Sequence, residues 1–153
     1  MIAEILEADF EAGREVFAVV GNAAQPAWDE RGEEMRGFAL LWERHGVMLD
    51  RIVLPRLIAA AGDDGDDRSE LAGWLRNQNG RVAALAGDLA RRAKDRDADG
   101  RWLSDFEELK RLFDAQLLRE QGELVSQIRN RVAPTELAEM TREARSLRQA
   151  RAA

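Results

Sequence analysis

The sequence predicts an all-α protein, arranged as an up-down-up-down four-helix bundle with a short C-terminal helix. Residues that favour strands are scarce: tyrosine is absent, threonine occurs only at Thr135 and Thr141, and Ala, Leu, Glu and Arg dominate. Apolar residues recur at three- and four-residue spacings over four long segments, the period of an amphipathic helix. Short connections rich in Gly, Asp and Pro separate those segments, which makes consecutive helices antiparallel neighbours.

The first helix is expected over 3–20, with Ile2, Ile5, Leu6, Phe10, Gly13, Phe17 and Val20 on one face and Gly21-Asn22 and the Pro26 loop closing it. The second is expected over 29–61. Its stripe is Met35, Phe38, Leu41, Trp42, His45, Leu49, Ile52, Val53 and Leu57, and Pro55 inside it should kink or break the helix. Gly62 and the run Asp63-Asp64-Gly65-Asp66-Asp67 read as a solvated loop, with Ser69 as the N-cap of a third helix over 70–94. That helix is lined by Leu71, Leu75, Asn79, Val82, Ala86 and Leu89. The fourth, over 103–131, carries Phe106, Leu109, Phe113, Gln116, Leu117, Glu120, Leu124 and Ile128. Pro134 then opens a short terminal helix with Leu137, Met140, Ala144 and Leu147 on one side and Arg142, Arg145, Arg148 and Arg151 opposite, a solvated or partner-docking face. The expected organisation is a bundle over 1–133 and the terminal helix over 134–153.

Composition excludes several function classes. At 153 residues the chain is one domain with one core. A net charge of −6 argues against nucleic acid as a partner, and the excess of Arg over Lys, 21 to 2, is read as coding bias rather than RNA binding. The absence of cysteine removes disulfides, thiolate metal sites and cysteine nucleophiles. The single histidine, His45, rules out any site in one chain that needs two imidazoles. Met1-Ile2-Ala3-Glu4 does not begin a signal peptide and no apolar run is long enough to span a bilayer, so a cytoplasmic protein without membrane contact is expected. No nucleophile–base pair, phosphate-binding glycine loop or cofactor fingerprint is present, so neither enzyme activity nor a cofactor is expected.

Four polar residues break the apolar stripes. His45, Asn79, Gln116 and Glu120 each lie near the middle of a predicted helix, where antiparallel packing brings them to one height. An unpaired polar group in a core costs about 1–3 kcal/mol, and a charge more, so such groups are paired, hydrated or functional. They form a candidate polar cluster, read either as a layer that sets helix register or as a ligand or metal pocket.

In order along the chain, these residues resemble the hemerythrin-like (HHE) domain. The family's first helix carries Asp-His, where this chain has Asp9-Phe10. Its second carries a His, an acid four residues on and a Pro ten residues after the His; here stand His45, Leu49, Asp50 and Pro55. The third carries Glu-His, matched by Gln78-Asn79. The fourth carries a His with acids following and a Pro-Glu-Glu-Leu-like turn, matched by Gln116, Glu120-Gln121 and Pro134-Thr135-Glu136-Leu137. The resemblance implies the bundle fold. Family members hold two irons through histidines and bridging carboxylates, but at the matching positions only His45 and Glu120 keep ligand chemistry, because Phe10 and Leu49 donate nothing and Asn79 and Gln116 are weak donors. The implied protein is a degenerate member without a di-iron site, non-catalytic, working as a regulatory or protein-interaction module or a homo-oligomer. The alternative is a small-ligand or mononuclear-metal sensor built on His45 and Glu120.

Other signals are weaker. Asp95 to Gly100 matches the first half of a calcium loop, but the bidentate position falls on Phe106, so a plain acidic loop is expected. Trp42 and Trp74 read as packing, while Trp28 and Trp102, at helix starts, are either interface anchors or bundle-end caps.

Overall fold

In the computed structural model, which describes residues 1–21, 27–60, 65–96 and 100–152, helix is the only regular structure. The helices are α1 (Ile2–Gly21), α2 (Trp28–Met48), α3 (Leu54–Ala59), α4 (Gly65–Arg92), α5 (Trp102–Arg119), α6 (Val125–Arg131) and α7 (Pro134–Ala152). A π-helical segment, Leu49–Val53, joins α2 to α3 without a break, and a second, Glu120–Leu124, joins α5 to α6. The expected turns at 22–26, at 62–64 and at 97–99 lie outside the described residues.

The helices share one core, built from the predicted stripes. Phe17, Phe38, Trp42 and Phe113 form its aromatic centre, with Phe17 and Phe113 ring centroids 4.9 Å apart and Trp42 and Phe113 5.0 Å apart. Gly13 makes room for it: a Cβ there would stand 2.6 Å from the Phe113 ring. Contacts fix the relative direction of neighbouring helices. Between α1 and α2, Asp9 meets His45 and Phe17 meets Phe38. Between α2 and α4, Gly32 faces the Ala90 carbonyl and Gly46 faces Asn79, and just past α2 Asp50 of the π segment pairs with Arg76. Between α4 and α5, Trp102 donates to Leu89 O, Gln78 to Leu112 O, and Arg119 to Glu70. In each pair one number rises as the other falls, so each pair is antiparallel.

Several expectations are corrected. Helix α4 starts at Gly65, so Ser69 lies inside it and caps nothing. Pro55 does not end the second rod, but the regular α pattern is interrupted just before it: Leu49–Val53 are π-helical, and helix then runs on through Pro55 to Ala59. The terminal helix is not short. At 19 residues it matches α1 in length, and it packs on α1, the first π segment and α2. Of the two readings left open for Trp102, anchor or cap, the cap fits: it is fully buried and meets Trp28 edge-on at 5.5 Å, with the Arg31 guanidinium over both rings. The pair caps one end of the core.

Candidate functional site

Helix α2 holds His45 on its core face, fully buried, between carboxylates from two other elements. His45 Nδ1 lies 2.8 Å from Asp9 Oδ2 on α1, and Nε2 lies 2.8 and 3.1 Å from the two oxygens of Glu120 at the start of the second π segment. Asp9 is 1% exposed and Glu120 0%. Asp9 Oδ2 also accepts a hydrogen bond from Arg148 on α7. The result is a line of alternating charge from the surface inward: Arg148, Asp9, His45, Glu120.

Ionised carboxylates only accept hydrogen bonds. A ring flanked by one on each side therefore donates from both nitrogens, which makes it an imidazolium. Burial alone would lower the His45 pKa, but the charge of Glu120 and the hydrogen bond to Asp9 outweigh it, and the pKa rises from 6.5 to about 9. Asp9 behaves as its counterpart: desolvation pushes its pKa up, but hydrogen bonds from His45 and Arg148 prevail and it falls below 3.8. The charged forms are thus the stable ones despite burial, because each has a partner of opposite sign in contact. Trp42 adds a face, stacking on the His45 ring at 4.4 Å and 12°, a geometry favourable to a cation.

A neutral half completes the network. Gln116 Nε2 donates to Glu120 Oε2 and to Asn79 Oδ1, each at 2.8 Å, while its Oε1 accepts from Trp42 Nε1 at 2.9 Å. Asn79 Nδ2 donates to the Trp42 carbonyl at 3.0 Å. The Asn79 amide fits because its neighbour on α2 is Gly46, where a Cβ would stand 2.3 Å from Nδ2. All four residues of the predicted cluster, His45, Asn79, Gln116 and Glu120, are therefore in one hydrogen-bonded chain. Among the described residues, the buried side-chain polar atoms without a partner lie elsewhere, on Arg31 and Arg68.

Asp9, which the expected α1 stripe omits, is buried on that stripe, and Arg148 of α7 closes over it. Arg148 likewise turns inward from the arginine face of α7. The Trp42 indole is a third member that periodicity classed as packing only. Asp50 stays exposed, paired with Arg76 at 2.6 Å. Phe10 and Leu49 are buried, and the Phe10 ring centroid lies 5.7 Å from that of His45.

These residues do not fit a dinuclear metal centre. The cluster has one imidazole, both of whose nitrogens are engaged by carboxylates, and the Phe10 ring beside it offers no donor. Among the described residues, no group of three or more His, Asp or Glu side chains is arranged to hold a metal ion. A surface groove of about 610 Å³ between α2, the first π segment and α4 reaches the network only at Asn79, between Gly46 and Gly80. No described helix is long and apolar enough to cross a membrane. Comparison of the chain with family models, with curated proteins and with solved structures finds no match.

Proposed function

We propose that the chain is a hemerythrin-like up-down-up-down four-helix bundle in which a salt-bridged imidazolium stands where the family holds metal, and that it works as a non-catalytic regulatory or protein-interaction module. The observation that carries this reading is the engagement of both His45 nitrogens by Asp9 and Glu120. Two inward carboxylates need positive charge between them. A protonated histidine supplies one unit without any metal, and the Arg148 guanidinium supplies the second. The antiparallel registers of α1 with α2, α2 with α4 and α4 with α5 support the bundle topology. A metal ion would have to displace a proton from His45 and break one of two short ion pairs, which disfavours it.

Elemental analysis of protein purified without metal supplementation, together with thermal melts in added ferrous iron or zinc, tests the proposal. A ligand that binds the native state raises the melting temperature with concentration. The expected result is substoichiometric metal and no shift. Iron near two per chain, or a concentration-dependent rise in melting temperature, would overturn it. A second reading, a small-ligand sensor, is favoured by the groove over Asn79, because an occupant there would touch a member of the network's neutral half.

A further inference from the structure

We infer that α7 is a releasable electrostatic strap over the outer end of the buried charge line. This inference rests on the packing of α7 alone and stands independently of the functional reading above.

The apolar seal of α7 is small. Of its described side chains only Met140, Thr141 and Ala144 are buried, with Leu137, Leu147 and Arg148 half-buried; the Thr141 hydroxyl bonds back to Leu137 O of its own helix. Helix α1, of similar length, buries seven residues. Charge holds α7 in place instead. Arg56 reaches it from α3, bonding Glu136 at 2.8 Å and Glu143 at 2.7 Å, and Arg148 reaches from it to Asp9. The Arg56 pairs are half-exposed, with side-chain exposures of 21% for Arg56 and 50% and 46% for the two glutamates, so salt screens them. The Arg148 pair differs: its carboxylate is buried, and Arg148 also lies across the buried Met48. The connector to α6 is two residues, of which Val132 stays buried in the core and Ala133 is exposed, so α7 pivots about an anchored end. The aromatic centre and the neutral half of the network belong wholly to α1, α2, α4 and α5, which can stay packed while α7 leaves. Its departure uncovers Asp9 and, behind it, the Nδ1 side of His45.

Hydrogen exchange on the full-length protein at neutral pH, read by segment, tests the strap. At about 0.05 M salt the α7 amides should exchange faster than those of α2, α4 and α5, and raising salt to about 1 M should speed α7 a further ten-fold or so without changing the others. Arg148→Met, which keeps the stem over Met48, should reproduce the acceleration at low salt, and Arg148→Lys should restore part of the protection. Exchange of α7 at the same rate as the other helices, insensitive to salt, overturns the inference. So does an Arg148→Met protein in which α7 keeps its protection, or in which α2, α4 and α5 lose as much as α7. The salt series needs only the unaltered chain, so a variant that fails to fold does not remove the test.

Discussion

The His45 side chain sets the energetics of the core. Removing one member of a buried ion pair leaves the other uncompensated, which costs about 3–5 kcal/mol, whereas replacing both with apolar groups is often nearly neutral. His45→Leu and Glu120→Leu should each destabilise by that order, and the double substitution by clearly less than the sum; additive losses in chemical denaturation would show that the two do not interact. Leu49 and Phe10 test the packed half of the site. Leu49 is 1% exposed, so Leu49→Ala should cost about 2–5 kcal/mol, and a loss below about 1 kcal/mol would place it outside the core. Two glycines make a matched pair. A Cβ on Gly46 would collide with the Asn79 amide, so Gly46→Ala should destabilise by about 1–3 kcal/mol by displacing a hydrogen-bonded side chain. Gly80 has open space around its Cβ direction, and Gly80→Ala should stabilise by about 0.5–1 kcal/mol through helix propensity, read from the same denaturation curves.

At the scale of elements, much of the fold was legible because burial follows period. Every residue assigned to the stripes of the second, third and fourth predicted helices is buried, apart from Leu41, which is half-buried. The polar cluster was legible for the same reason: His45, Asn79, Gln116 and Glu120 occupy positions that period alone reserves for apolar residues. Three things were missed. Asp9 stands at the spacing 2, 6, 9, 13, 17, 20, in the middle of the α1 stripe, but it was passed over as a charged residue because its partners, His45 and Arg148, are distant in sequence. The two π segments show only as unbroken spacings of four, 45, 49, 53, 57 and 116, 120, 124, 128, which are wider than the α period of 3.6 but pass for an ordinary amphipathic stripe. They begin at Glu120 and four residues after His45, and π turns often mark functional sites, where they rotate side chains inward. The start of α4 was misplaced because Gly and Asp favour loops, yet Gly65 to Arg68 join the helix.

At the scale of the whole molecule, the ionic core links stability to pH. The folded-state pKa of His45 is raised, so its contribution is fully present below 6.5 and is lost as pH rises through about 9. That of Asp9 is lowered, so its contribution is present above 3.8 and is lost as pH falls through the depressed value. Stability should therefore be flat between 3.8 and 6.5 as far as these two groups decide it, and should fall by about 3 kcal/mol through the alkaline limb, since a pKa unit is about 1.4 kcal/mol. His45→Leu paired with Glu120→Leu should remove most of the alkaline limb in urea denaturation at graded pH. Because the chain has one histidine, nitrogen-15 NMR of its imidazole reads the central claim without interference from any other ring. At pH 7.5 both nitrogens should carry protons, with shifts of an imidazolium, and the titration should centre near 9. A neutral ring at that pH, titrating near 6.5 or held unprotonated at one nitrogen by a bound metal, would contradict a core built on a charged histidine.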